Sequence, residues 1–230
     1  MTPRIFCAVD TADPAQAMKL VRQLSGLPLH FKLGLEFFTA QGLAGVEKIR
    51  AVMSGKAELF LDLKFHDIPN TVAGAVRSAL EANPQFLTVH AAGGSAMMRA
   101  AVEVVHTVSR PPKILAVTVL THLDEKDLAS VGQSVPVAGQ VLRLARLAQE
   151  SGVDGVVCSP REIEMLRKNL GRDFLLVVPG IRPAAAAADD QKRTLTPEQA
   201  IALGADYLVI GRPITESADP SAAARQILAV

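Results

Sequence analysis

The sequence predicts an α/β fold, a single (β/α)8 TIM barrel over residues 1–230, and three observations carry that prediction. Short β-branched apolar runs alternate with longer Ala-, Leu-, Glu- and Arg-rich segments of helical period, the pattern of βα units and a parallel sheet. Eight such runs occur, the number that closes a barrel. The length, 230 residues, exceeds that of the common domain but fits α/β barrels, which run to about 250 residues as one unit.

Taken in order, each strand is an apolar run with a polar or glycine-containing exit, followed by a segment that reads as a helix. Strand one is Ile5 to Val9, entered directly from Met1-Thr2-Pro3-Arg4 and ending at Asp10. Strand two, His30 to Leu33, contributes Lys32, and strand three, Leu59 to Leu63, runs on through Asp62-Leu63-Lys64-Phe65-His66-Asp67. Strand four is Phe86 to Val89 with His90 at its end, strand five Ile114 to Val119, and strand six Gly155 to Cys158. Strand seven, Leu175 to Val178, leads into Pro179-Gly180-Ile181-Arg182, and strand eight, Tyr207 to Ile210, into Gly211-Arg212-Pro213. The competing fold, an open doubly wound sheet, usually carries a Gly-rich dinucleotide turn after its first strand, whereas Val9-Asp10-Thr11 stands here.

Composition narrows the partners. A hydrophobic content of 49% with 4% aromatic residues and no Trp predicts a core of Ala, Val, Leu and Ile. With 24 basic against 23 acidic residues the net charge is +1, so no overall field favours nucleic acid or an anionic membrane, and any anion must be held by a local site. Cys7 and Cys158 lie in apolar runs, where a thiol acts as a small buried hydrophobe; the pair gives neither a metal spacing nor a disulfide framework. No stretch approaches the ~18 continuous apolar residues of a membrane span, and the expected protein is soluble and cytoplasmic.

Barrel enzymes draw their active groups from the C-terminal ends of strands. Residues i and i+2 of a strand share a face, so Asp62 and Lys64 are expected to point together into the mouth while Leu61 and Leu63 face the helices. Asp10, Lys32 and Asp67 should converge on the same end. A lone D-x-K could be a self-satisfied ion pair, but several alternating charges in one place are costly to desolvate unless function requires them. His66 reads as a helix-cap or surface histidine, and only His90 among the histidines is placed to reach the mouth. No histidine set has metal-ligand spacing, so a metal is not indicated. Loops seven and eight form the usual phosphate edge of such barrels; Gly180 and Gly211 admit an anion to the backbone, and Arg182 and Arg212 supply planar forks. Gln191 and the loop before it could close over the ligand from above. A phosphorylated small substrate follows.

The motifs Val9-Asp10, Phe31-Lys32-Leu33-Gly34, Asp62-Leu63-Lys64-Phe65-His66-Asp67-Ile68-Pro69-Asn70-Thr71, Thr121, Pro179-Gly180-Ile181-Arg182, Asp190-Gln191 and Ile210-Gly211-Arg212-Pro213-Ile214 run the length of the chain. On these the sequence resembles the orotidine 5'-monophosphate decarboxylase family. The resemblance implies a cofactor-free enzyme acting on orotidine 5'-phosphate, with Lys64 as proton donor flanked by Asp62. It implies that Asp67 and Thr71 reach into the neighbouring subunit's site, making a homodimer with shared active sites. It further implies that Asp10 and Lys32 contact the ribose hydroxyls, Thr121 the pyrimidine edge, and Pro179, Arg182, Gln191, Gly211 and Arg212 the phosphate side. The run Ala184 to Ala188 departs from the family's usual small-polar stretch. The nearest alternative is a metal-dependent sugar-phosphate decarboxylase or aldolase of the same superfamily, which Lys32 disfavours because an ammonium repels a divalent cation; the other is a barrel that binds a nucleotide without catalysis.

Overall fold

The computed structural model describes residues 4–182 and 195–229. Eight parallel strands close into a barrel in sequential order. They are β1 (Ile5–Val9), β2 (His30–Gly34), β3 (Leu59–Phe65), β4 (Phe86–His90), β5 (Lys113–Val117), β6 (Gly155–Val157), β7 (Leu175–Pro179) and β8 (Tyr207–Ile210). Around them lie α1 (Pro14–Leu24), α2 (Leu35–Arg50), α3 (Pro69–Ala79), α4 (Gly94–Val105), α5 (Glu125–Ser130), α6 (Val137–Glu150), α7 (Ile163–Leu170), α8 (Pro197–Leu203), α9 (Arg212–Thr215) and α10 (Pro220–Leu228). The eight predicted strands are all present. The third runs two residues further than predicted and the fifth stops at Val117 rather than Val119.

Helices α1 and α6 form for reasons visible in their sequences. In α1 the Asp13 carboxylate accepts the backbone N–H groups of Ala15 and Gln16 at 2.8 and 3.4 Å, Pro14 supplies the pre-set first turn, and Ala17, Val21 and Leu24 bury one stripe. In α6 the buried Val141, Leu144, Ala145 and Ala148 repeat the pattern. These stripes and the outward side chains of the strands, Leu61 and Leu63 among them, form the larger core between barrel and helices.

The barrel interior departs from the aliphatic core predicted. Its lower half is plugged by Phe6, Phe60, Phe86 and Tyr207, with Phe6 edge-on to Phe60 and Phe86 at centroid distances of 5.2 and 5.1 Å. The few aromatic residues are thus concentrated where the largest interior volume needs filling, and their edge-to-face geometry adds to their burial. His30 is buried against Phe6, its Nδ1 accepting the Glu58 N–H at 2.9 Å. At the same end, residues just before even-numbered strands accept backbone N–H groups of the preceding odd strands. Gln85 takes that of Leu59 at 2.9 Å, Asp154 that of Ile114 at 2.8 Å and Asp206 that of Leu176 at 2.8 Å. Asp154 also pairs with Lys113 and Asp206 with Arg167. Charge at the N-terminal end is therefore occupied in fixing strand register, which leaves the opposite end for chemistry.

Candidate active site

Above the aromatic plug the barrel opens into a cavity of about 360 Å³, within the roughly 300–1,000 Å³ of small-ligand sites. Its floor is apolar, from Ala8, Phe60, Val157 and Val209. One wall carries four charges in an unbroken alternating series. Asp10 Oδ1 lies 3.3 Å from Lys32 Nζ, Lys32 Nζ 3.5 Å from Asp62 Oδ2, and Asp62 Oδ1 2.8 Å from Lys64 Nζ. The Lys32 side chain is only 8% exposed and that of Asp62 13%, so neither charge could be held there without the other. Burial alone would raise the Asp62 carboxyl; the neighbouring Lys32 and Lys64 charges, with hydrogen bonds from Lys64 and Thr88, outweigh it and hold the group below the usual carboxylate range. Gly34 makes the close approach possible, since a Cβ there would stand 3.2 Å from Asp10 Oδ1 and 3.3 Å from Lys32 Nζ.

Asp62 and Lys64 do share the cavity, but not by simple alternation. The β3–β4 pairing steps from Leu61↔Leu87 to Phe65↔Val89, so three residues of β3 stand against Thr88 alone. Lys64 adopts φ 50°, a left-handed conformation that costs a non-glycine residue on the order of 1 to 3 kcal/mol. Such a cost persists only where the surroundings over-determine it.

β7 stands four strands from β3 around the closed barrel, which puts its exit across the mouth from Lys64. Here Pro179, Gly180, Ile181 and Arg182 line the cavity, with Gly211, Arg212 and Pro213 beside them at the end of β8. Gly180 has φ 77°, so the turn that presents this backbone requires glycine. Arg212 is exposed and Arg182 half-buried. Val119, Leu120 and Thr121 complete the wall after β5. The arrangement is a positive edge facing an alternating charged wall, over an apolar floor.

Not every predicted residue joins this cavity. Asp67 and Thr71 are exposed on the rim outside its wall, and the Asp67 carboxylate accepts the Ile68 N–H at 2.6 Å instead of meeting Lys64. Gln191 and the run Ala184 to Ala188 lie outside the described residues. His66 caps no helix, since α3 starts from Ile68 without a side-chain cap; its exposed ring stacks on His90 at 5.2 Å. Cys7 and Cys158 are buried free thiols, as expected, and burial pushes the Cys7 thiol up to about 12. Among the described residues no three His, Cys, Asp or Glu side chains gather as a metal ion would need, and no helix is long and apolar enough to cross a membrane. The sequence reading missed Thr88, which is fully buried and donates to Asp62 at 3.0 Å; a hydroxyl two residues from Phe86 on an otherwise apolar strand was the available signal.

His90 gives this region a pH signature. Burial first, then the His66 and Lys64 charges, lowers its imidazole from 6.5 to about 4. Between those values the unfolded chain binds a proton that the folded chain refuses, so folding stability falls as pH drops through the window. Asp62, depressed below its ordinary 3.8, loses its contribution only at still lower pH. Denaturant unfolding between pH 7 and pH 4.5 is expected to show a smaller loss of stability in His90→Asn, whose amide oxygen can still accept the Ala92 N–H that His90 Nδ1 accepts at 3.2 Å; equal slopes in the two proteins would contradict the assignment.

Comparison with known proteins identifies the family. The model of the Orotidine 5'-phosphate decarboxylase / HUMPS family matches residues 3–227. The chain belongs to this family. It is 52% identical over 230 residues to the orotidine 5'-phosphate decarboxylase of Paramagnetospirillum magneticum, covering 98% of this chain and 97% of that one. It is 51% identical over 228 residues to that of Rhodospirillum rubrum, with 97% and 92% covered. Among solved structures, orotidine 5'-phosphate decarboxylase from Lactobacillus acidophilus superposes with a TM-score of 0.87 at 38% identity, covering 100% of this chain and 98% of that one. Members of the family so named are carboxy-lyases.

Proposed function

We propose that this protein converts orotidine 5'-phosphate to uridine 5'-monophosphate and carbon dioxide, the last step of de novo pyrimidine nucleotide synthesis, without a metal ion. The observation that carries this reading is the Asp10–Lys32–Asp62–Lys64 series facing a phosphate-type edge across one cavity. Breaking the bond from carbon 6 to the carboxylate leaves an electron pair in an sp2 orbital that the ring's π system cannot delocalise, so the barrier must be lowered by an adjacent positive charge. The Lys64 ammonium, held by Asp62 at 2.8 Å, supplies it and then donates its proton to carbon 6, to be reprotonated from solvent. Asp62 repels the substrate carboxylate in the bound state, and that repulsion vanishes as neutral carbon dioxide leaves.

Asp10 and Lys32 hold the ribose hydroxyls and Thr121 the pyrimidine edge, while Pro179, Arg182, Gln191, Gly211 and Arg212 serve the phosphate. The phosphate takes no part in bond breaking; contacts to it offset the cost of desolvating the site. A homodimer with shared sites accounts for the rim, where Asp67 and Thr71 flank an Ile68 that is 66% exposed and would be covered by a second subunit. A cytoplasmic location fits free buried thiols. The test is the ultraviolet absorbance of orotidine 5'-phosphate after adding purified protein with excess chelator. Loss of absorbance with uridine 5'-monophosphate as product is expected; activity confined to sugar phosphates with added magnesium would refute the reading.

A further inference from the structure

We propose that Thr88 is a positioning residue that fixes both ends of Lys64 and sets the direction of its ion pair with Asp62. Thr88 is fully buried and touches no part of the cavity, so it acts only through its neighbours. It is the single β4 residue set against Asp62, Leu63 and Lys64, where the regular ladder breaks. A strand broken in this way loses the carbonyl that would accept the next N–H, and the Thr88 hydroxyl takes that place, accepting the Lys64 N–H at 2.8 Å. Having accepted there, it directs its one proton to Asp62 Oδ1 at 3.0 Å. The same Oδ1 receives Lys64 Nζ at 2.8 Å.

A closed ring results, from Lys64 N to Thr88 Oγ1 to Asp62 Oδ1 and back to Lys64 Nζ. Through it one hydroxyl holds a lysine backbone at φ 50° and selects Asp62 as an ionised acceptor, while Lys32 faces the other carboxylate oxygen. The β-branched side chain restricts the hydroxyl to few rotamers, which suits it to both bonds at once.

The inference rests on the proposed decarboxylation, and its test separates the two. Thr88→Val keeps the shape and removes both hydrogen bonds; Thr88→Ser keeps the bonds. In the valine variant kcat for orotidine 5'-phosphate is expected to fall roughly 10- to 100-fold, the scale of a small misplacement of a reacting group, with KM changed far less. The acid limb of its pH profile should move to higher pH because Asp62 loses a donor, and the serine variant should restore both values. Unchanged kcat in Thr88→Val, or loss in Thr88→Ser as deep as in valine, would overturn the inference. Thr88→Ala gives the same comparison if valine impairs folding. An inactive wild type would refute the decarboxylation reading alone; the inference is then decided by the crystal structure of the variant, which should show Lys64 Nζ withdrawn from Asp62, and a pair still at 2.8 Å would overturn it.

Discussion

Lys64→Ala is expected to reduce decarboxylation of orotidine 5'-phosphate by on the order of 10⁵-fold in kcat while leaving the affinity for uridine 5'-monophosphate close to that of the wild type. Two effects are removed together, general-acid transfer at about 10²- to 10⁴-fold and electrostatic stabilisation of the developing charge at about 10²- to 10³-fold. Both depend on one ammonium that Asp62 holds at 2.8 Å and that the strained φ of Lys64 aims into the cavity. Binding should survive because the proposed ribose and phosphate contacts lie elsewhere, at Asp10, Lys32 and the exits of β7 and β8. Single-turnover kinetics with direct measurement of product affinity make the check. A variant that keeps near-normal turnover would remove Lys64 from the mechanism.

Arg212→Ala should act in the opposite sense, on recognition. Arg212 is exposed at the cavity edge, so the loss should fall below the ~2 to 5 kcal/mol typical of deleting one partner of a buried charge pair, on the order of 10-fold in kcat/KM. The effect should be confined to phosphorylated ligands. With the nucleoside orotidine, which lacks the phosphate, wild type and variant are expected to be equally poor, since the contact proposed for Arg212 is absent from both. A matching loss on the nucleoside would place Arg212 outside the phosphate site.

The strand positions were legible because parallel strands buried on both faces read as continuous apolar runs, Ile5–Val9 being the clearest. Strand ends were less so. Val119 prolongs the apolar run of β5 in sequence yet turns to wall the cavity, because the ladder ends at Val117. The charged wall was legible in residue identity, since Asp10 follows an apolar run and Lys32, Asp62 and Lys64 interrupt apolar runs. Its internal geometry was not. Leu61-Asp62-Leu63-Lys64-Phe65 reads as clean alternation, and nothing in it announces the register break against β4. Thr88 was hidden for the same reason, because a threonine in a strand reads as a β-former until the break opposite it is known. Asp154 and Asp206, which stand just before β6 and β8, bind strand N–H groups contributed by segments 40 and 30 residues away, which local sequence does not announce. Asp67 and Thr71 were legible as residues of the strand-three exit, but they stand exposed outside the cavity of this chain.

The most direct measurement of the central claim is proton exchange at carbon 6 of uridine 5'-monophosphate in deuterium oxide, followed by NMR. Removing that proton generates the same carbanion as decarboxylation, with no carboxylate present, so the exchange reports stabilisation of the carbanion and proton transfer alone. The wild type is expected to exchange the carbon 6 proton while the carbon 5 proton stays in place, and Lys64→Ala to show no exchange above the buffer rate. Exchange in Lys64→Ala as fast as in the wild type would contradict the assignment of Lys64 as the group that stabilises and protonates carbon 6.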